Sequence, residues 1–474
     1  MTVTVSTKHK PTAAERQLMT GFSGDITWPE DDNYDDARAV WNDMIDRYPV
    51  LIAHCRSVDD VVAAVNHGRE QGLPIAVRGG SHNVAGLATC DGGIVIDLSP
   101  MKRIDVDPDA RIARAGGGVT WGELDAATQK HGLATPGGVY SDTGIAGLTL
   151  GGGFGWIRSK YGLSCDNLIG AEVVTASGEV VRASADENPE LLWGLRGGGG
   201  NFGVVTTFEY KLHPVGPDVY FLFVLHDSSG DRFKQSLRLF REFSANAPDE
   251  VSLLQSCGIV PPDEDHFPEE IHHKPFAAFA GLFAGDPDEG REVLRPLLEF
   301  GEPLLDASGV VPYVEAQQAF DEDYPDGLRY YWKSLNLNDL SDEAIDRIVE
   351  HSRRQPSVLS TIDLWHIGGV VKRPGPDDSA FFGRSADFLL NMEANWEDAD
   401  DDEANIRWVR ELIDTMQDFS DSSAYLNFAG FQEEGDEMVR AAFKSQYGRL
   451  AELKDWYDPE NIFHLNQNIK PNSA

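Results

Sequence analysis

Apolar and polar positions fall into two different rhythms along the chain. In the first, short apolar runs alternate with amphipathic stretches. "VLIAHC" (50–55) reads as a buried strand, and "SVDDVVAAVNHGREQG" (57–72) as a helix. Ser57 is placed to cap that helix, Val61, Val62 and Val65 keep helical spacing, and Gly72 ends it. "PIAVRGG" (74–80) is the next strand, which completes a βαβ unit. "GGIVIDLSPMKRIDVDP" and "RIARAGGGV" supply further strands, and Thr120 with Glu123 forms a capping box before another helix. "NLIGAEVVTASGEVVRAS" reads as a hairpin turning at Ser177–Gly178, and "GVVTTFEYKL" as a strand. After His213–Pro214 the rhythm changes. Long amphipathic helices such as "DRFKQSLRLFREFSANA" alternate with strands such as "YFLFVLH" and "FAAFAGLF". The tail predicts a helix, a Tyr-Asp-Pro-Glu-Asn turn and a short apolar segment. Residues 1–20 are polar and read as frayed.

The 47 glycines crowd between Arg78 and Gly203 and change this picture. They form three passages next to strands: "RGGSHNVAG", "GLATPGGVYSDTGIAGLTLGGGFG" and "LRGGGGNFG". Glycine permits close backbone approach, and successive N–H groups on such loops make anion nests. One such loop is only a turn; three feeding one region suit a large, flat, phosphate-bearing ligand such as a dinucleotide. Known phosphate motifs do not fit. No lysine follows a glycine, so there is no P-loop, and "GSHNVAG" has the wrong spacing for GxGxxG. HExxH and GxSxG are also absent. Four scattered cysteines, Cys55, Cys90, Cys165 and Cys257, make neither a disulfide framework nor a CxxC zinc site, so no metal is expected. The formal net charge of −38 opposes binding to nucleic acid or anionic membrane. Acidic runs such as "WEDADDDEAN" read as a halophilic surface in a high-salt cytoplasm, or as the solvated loops of a merely acidic protein. No segment reaches membrane-span length and no apolar leader is present.

"RGGSHNVAG", "GGGFGWIRSKYGLSCDNLIGAEVVTASGEVV", "LRGGGGNFGVVTTFEY" and "YDPENIFHLNQNI" resemble the berberine-bridge-enzyme-like FAD-linked oxidases of the vanillyl-alcohol-oxidase superfamily. The resemblance runs in order from about residue 38 to 471. It implies an α+β, two-domain, PCMH-type FAD-binding fold: an FAD-binding part over 1–215, a substrate domain of antiparallel sheet backed by helices over 216–419, and a C-terminal segment, 420–474, returning to the FAD domain. It implies a covalent FAD, linked from His82 to the 8α-methyl group and from Cys165 to the 6-carbon. Taken alone, His82 reads equally as a loop histidine bonded to phosphate or backbone, and Cys165 as a small buried hydrophobe. Arg78, Gly79, Gly80, Ser81, Asn83 and Gly86 fall in the expected pyrophosphate loop. Pro136, Gly137, Ser141, Thr143, Gly144, Gly147, Gly152 and Gly153 match the second FAD-contacting passage. Val205 matches an adenine-side position, and Tyr457 and Asn468 lie where relatives close over the flavin.

The resemblance also implies the reaction: oxidation of a C–H next to oxygen or nitrogen in a small-molecule substrate, with oxygen or another acceptor taking the electrons. In carbohydrate-oxidising relatives the base is a tyrosine in a Y-x-N segment, here Tyr425 of "AYLNFAG"; a tyrosine packed between domains is the other reading. Their partner carboxylate stands three residues before Gly-Gly, where this chain has Trp365. Asp363 shares that strand face by alternation and His366 is adjacent, so both are candidates. Thr143 lies near the position linked to oxygen access. Alternatives are a single-link dehydrogenase using a non-oxygen acceptor, or a flavin-binding protein without turnover.

Overall fold

The computed structural model describes residues 22–262, 267–431 and 435–472; the frayed segment expected at 1–20 lies outside them. The βαβ unit forms as the apolar pattern predicts. Strand Leu51–His54 leads into helix Val58–Gln71, capped by Ser57 and Asp60 and ended by Gly72 at φ 63°. Strand Ile75–Arg78 follows, but the two strands are not neighbours: Ile94–Asp97 inserts between them, parallel to both. Asp25–Thr27 adds an antiparallel edge. The second sheet is antiparallel, in the order Ile104–Asp107, Ile112–Gly116, Val204–Lys211, Leu168–Val174, Val180–Ser184. The expected turn holds, with Gly178 at φ 82°.

Between Asp218 and Trp396 the chain builds an eight-stranded antiparallel sheet. Alternation sorts its residues onto two faces. Leu222, Phe279, Leu253, Ile362, Met392 and Leu335 face a cluster they share with Phe240, Leu294, Ile348 and Leu412, from helices Arg232–Ser244, Pro287–Leu298, Asp342–Ser352 and Asp402–Met416. Phe221, Leu254, Trp365 and Leu389 face the other way and pack with Phe154, Trp156, Cys165 and Tyr425. The fold is therefore α+β, with one sheet face covered by helices and the other turned toward the glycine-rich loops.

The tail returns to the first part of the chain. Leu426, Val439, Phe443, Leu450 and Ile469 share one core with Trp121, Ala171, Phe208 and Tyr210. A buried ion pair anchors it: Lys454 Nζ lies 2.7 Å from Asp458 Oδ2, and both side chains have no exposure. The same ammonium donates to the carbonyls of Asn201 and Phe463, while Asp458 accepts from the N–H groups of Ile462 and Phe463. Asn201, in the third glycine passage, in turn donates to Gln467 O and accepts from Ile469 N–H. The Tyr-Asp-Pro-Glu-Asn turn is thus the anchor of the segment behind it. No helix of the described residues is long and apolar enough to cross a membrane.

Because removing one member of a buried pair strands the other charge, Asp458→Ala is expected to lower the unfolding free energy by about 3–5 kcal/mol. Chemical denaturation measures this; an unchanged midpoint would show that the pair carries no stability.

Candidate active site

Two glycine passages are locked together by backbone contact. A methyl group added at Gly80 would lie 2.3 Å from Gly144 N, and one at Gly144 would lie 2.4 Å from Gly80 N. No side chain fits between them, so loops 79–83 and 138–147 act as one unit. Ser81 sits at φ 63°, a left-handed conformation uncommon outside glycine, and the chain turns there into His82. The His82 ring lies between Trp41 and Tyr140, with centroids at 5.3 and 5.0 Å.

These loops form the floor of a long cavity with about 1760 Å³ of non-protein space, part of it open to solvent. One end is apolar and lies at the first sheet, against Ile75, Val77, Leu98, Val205 and Phe463. The middle is glycine backbone: Gly79, Gly80, Gly144, Gly147, Gly199 and Gly200. Methyl groups added at Gly147 or Gly200 would meet nothing within 4 Å, so space begins at the backbone itself. Asn466, also on the wall, has a buried Oδ1 without a hydrogen-bond partner. An apolar slot, a glycine floor and an unpaired acceptor fit a dinucleotide lying along the cavity.

The other end is aromatic. Trp41, Tyr140, Tyr324, Trp332, Trp365 and Phe428 line it with Tyr425 and Glu393. Trp332, Glu393 and Trp365 come from three neighbouring strands of the eight-stranded sheet and share its cavity face. Glu393 is buried: Oε1 accepts from Asn391 Nδ2 at 2.6 Å and Oε2 from the Tyr324 hydroxyl at 2.7 Å. Asp363 stands diagonally across on the adjacent strand, also buried, and its Oδ1 has no hydrogen-bond partner. Burial pushes both carboxyls above the ordinary range, and Asp363 raises Glu393 further by repulsion. The pair therefore favours holding a proton between them. Among the described residues, no lysine or arginine lines the cavity.

Tyr425 lies at the wall with its hydroxyl oxygen accepting from Gly153 N–H at 2.9 Å and from Asn427 Nδ2 at 2.8 Å. Burial raises its phenol well above the usual value; the two donors offset part of that. Trp365 stacks on Trp156, and the Arg158 guanidinium lies 5.1 Å from its ring.

Gly79, Gly80, Ser81, His82, Asn83, Thr143, Gly144, Gly147, Val205 and Tyr425 reach the cavity. Other predicted residues serve elsewhere. Arg78 is buried and donates to the carbonyls of Ala88 and Ala37, closing the loop from behind instead of meeting phosphate. Gly86 makes a turn against Ile45, and Gly137, next to Pro136, packs on the Trp121 indole. Ser141 donates its N–H and hydroxyl to Asp321. Gly152 and Gly153 pack beneath Tyr425, Phe381 and Ser164. Tyr457 reaches Asn188, and Asn468 yields its place at the wall to Asn466 and Gln467. His366 lies on the opposite sheet face, where burial and Arg158 hold its pKa down to about 4; a catalytic part for it is withdrawn. Asp363 stands behind Glu393. Cys165 is fully buried in the cluster behind the wall, with Phe154 and Tyr425. Burial and Asp166 raise its thiol, while Arg384 and Arg196 act against that.

Glu393, Tyr324, Trp332 and Asn466 were missed. The signal for Glu393 was present: "FLLNMEANW" places Asn391, Glu393 and Asn395 at alternate positions of an otherwise apolar strand. A buried face with three polar residues in a row is unusual for a core strand.

Two family models match the chain: an FAD binding domain over residues 49–184, and a berberine and berberine-like segment over 424–470. The (R)-6-hydroxynicotine oxidase of Paenarthrobacter nicotinovorans is 33% identical over 470 residues, covering 96% of this chain and 98% of that protein. An FAD-linked oxidoreductase of Dictyostelium discoideum is 33% identical over 437 residues, 91% of each chain. The solved 6-hydroxy-D-nicotine oxidase of Arthrobacter nicotinovorans superposes with a TM-score of 0.86 at 30% identity, covering 95% of this chain and 98% of that one. The glucooligosaccharide oxidase of Acremonium strictum, described as carrying 6-S-cysteinyl, 8α-N1-histidyl FAD, shares the fold at a TM-score of 0.84, 23% identity, and 97% and 99% coverage. With the glycine-floored cavity in hand, these matches identify the chain as a member of the berberine-bridge-enzyme-like family of FAD-linked oxidoreductases, with the PCMH-type fold.

Proposed function

We propose that the protein is an oxidase that removes hydride from a carbon bearing an amine or hydroxyl in a small, largely aromatic or apolar substrate. Residues 1–215 and 420–474 would form the FAD-binding part and 216–419 the substrate part. The observation that carries the substrate reading is the aromatic end of the cavity, with Glu393 as its carboxylate and, among the described residues, no lysine or arginine at the wall. Aromatic faces and a carboxylate favour a protonated amine over an oligosaccharide. Trp365, which stands where sugar oxidases of the family carry a carboxylate, points the same way.

The loop 79–83, Thr143 to Gly147 and Gly203 to Val205 would hold FAD, and His82 would carry its covalent link. When bound, FAD supplies a hydride acceptor at N5 and passes the electrons to oxygen or another acceptor. Glu393 takes the substrate's N–H or O–H proton, because it lies at the wall and burial, with repulsion from Asp363, makes it a stronger base than an ordinary carboxylate. Asp363 raises that pKa by its charge, and Tyr324 and Asn391 hold the carboxylate oxygens in place. Tyr425, pinned by Gly153 and Asn427, keeps its proton and orients the substrate's polar group. A second link at Cys165 is part of this reading; burial raises its thiol, and Arg384 and Arg196 offset part of that. One observation favours the single-link alternative: the Cys165 side chain is fully buried behind the cavity wall.

Acid-precipitated protein is expected to stay yellow and to carry the mass of FAD; a colourless pellet would remove the covalent reading. Cys165→Ala should then alter the visible spectrum of the bound flavin if the second link exists, and leave it unchanged if His82 is the sole attachment. Glu393→Gln should lower turnover on a panel of secondary and tertiary amines roughly 10²–10⁴-fold. The wild-type rate should rise with pH as the carboxyl pair loses its proton, and that limb should disappear in Glu393→Gln. Undiminished turnover in Glu393→Gln, with loss in Tyr425→Phe, would return the base to Tyr425.

A further inference from the structure

The Gly80–Gly144 contact has a consequence on the solvent side of the loops. It carries Asp142 to within reach of His82: Oδ2 lies 3.5 Å from the imidazole Nε2. The two side chains differ in exposure. His82 is 11% exposed and Asp142 is 66% exposed. The ring is clamped between Trp41 and Tyr140, so its orientation is set by packing and its Nε2 edge is turned to the carboxylate. Asp142 is held below the usual carboxylate range, first by its contact with His82.

We propose that Asp142 is the positioning residue for covalent attachment of the cofactor, holding the Nε2–H of His82 so that Nδ1 is the free nucleophile. The proposal rests on the covalent reading given above. A neutral imidazole carries one proton, and the nitrogen that hydrogen-bonds a carboxylate keeps it. Nδ1 then carries the free lone pair, on a ring that lines the cavity. As Nδ1 bonds to the 8α-carbon the imidazole becomes cationic, and Asp142 stabilises that charge, the part an aspartate plays beside a catalytic histidine; the Nε2 proton then leaves to the solvent that the exposed carboxylate borders. Overall one C–H bond of the methyl group and one imidazole N–H bond are broken and one C–N bond forms. The two electrons pass through the ring to dioxygen, the oxidant, which takes up two protons from solvent in place of the two released and leaves as hydrogen peroxide.

No feature of the floor requires Asp142 for folding. Its side chain is mostly in solvent, and the part of Asp142 that meets Gly80 is its backbone carbonyl, which a substitution leaves in place. The loop itself is held by Gly80 against Gly144 and by Ser141 on Asp321.

The test uses full-length protein in a Cys165→Ala background, so that His82 is the sole site of attachment. Asp142→Asn, Asp142→Glu and unsubstituted Asp142 proteins are loaded with FAD in air. Covalent yield is followed over time by intact mass and by flavin fluorescence in denaturing gels. Non-covalent binding is followed by the visible spectrum before denaturation. Asp142→Asn is expected to bind FAD with the same spectrum but to form the covalent adduct roughly tenfold more slowly or worse. Asp142→Glu should recover most of the rate, and added formate should recover an Asp142→Ala variant. Attachment at the unsubstituted rate in both Asp142→Asn and Asp142→Ala overturns the proposal while leaving the histidyl link intact. If the Cys165→Ala protein with Asp142 present carries no covalent flavin, the histidyl link itself fails and this inference with it.

Discussion

The contact between Gly80 and Gly144 is the constraint from which the rest of the site follows. With no side chain on either residue, two backbones approach to a distance that a single methyl group would abolish. The first loop enters from the parallel strand Ile75–Arg78, and the second runs directly into helix Ile145–Leu150. Their union gives the cavity one continuous floor. It also sets His82 and Thr143 at the wall together, although 143 and 82 belong to separate elements. The tail supplies the opposite wall through a different device, a buried ammonium and carboxylate whose remaining hydrogen bonds all go to backbone. Such a pair gains little as attraction alone, but it fixes one geometry because every misplacement leaves a charge unsatisfied.

The carboxylates that brace the fold through cationic partners differ from the two at the aromatic end of the cavity. Glu209, on the antiparallel sheet, accepts from Arg182 and Arg114 and is held below the ordinary range, first by the Arg182 hydrogen bonds. Asp458 and Asp97 likewise have cationic or histidine partners. Glu393 and Asp363 have no such partner in their hydrogen bonding, and both are driven up. A fold has no structural reason to bury two carboxyls side by side, since each raises the cost of ionising the other. Tyr324 and Asn391 supply just enough donors to keep Glu393 in place without neutralising it. Perturbed acids at a cavity wall are where proton transfer is to be sought.

Much of this was readable from the sequence where local rules govern. The helix Val58–Gln71 with its Ser57 cap, the Glu123 capping bond to Thr120 N–H, and the hairpin at Gly178 all follow from short-range pattern. The insertion of Ile94–Asp97 between two strands that look adjacent depends on long-range pairing, which periodicity does not encode. The glycine passages announced a ligand floor, yet not which members face it. Arg78 looked like a phosphate ligand because arginine beside glycines suits anions; the fold turns its donors to the carbonyls of Ala88 and, from a distant segment, Ala37. His366 was drawn in by its neighbour Trp365, but adjacent strand residues point to opposite faces. Alternation, applied strictly, excludes it and admits Asp363.

The same alternation explains how the reacting end tolerates Trp365. On the cavity face, Trp365 is level with Leu389, and Glu393 stands two same-face positions farther along the neighbouring strand. A carboxylate can therefore reach the cavity from Phe388–Trp396 while the strand Thr361–His366 presents an indole. The indole is not a passive filler: Trp156 stacks on it and Arg158 lies over it, with the guanidinium donating only to carbonyls of His366, Gly155 and Leu253. A cation so buried is stable only where aromatic faces and carbonyl dipoles replace water. Exchanging Trp365 for a carboxylate would set a second acid beside that cation and draw its charge away from the aromatic stack. The sheet face thus fixes one acid, at Glu393, and one aromatic wall, at Trp365, as a matched pair. What the cavity selects is set by that pairing across two strands, not by the motif on either one.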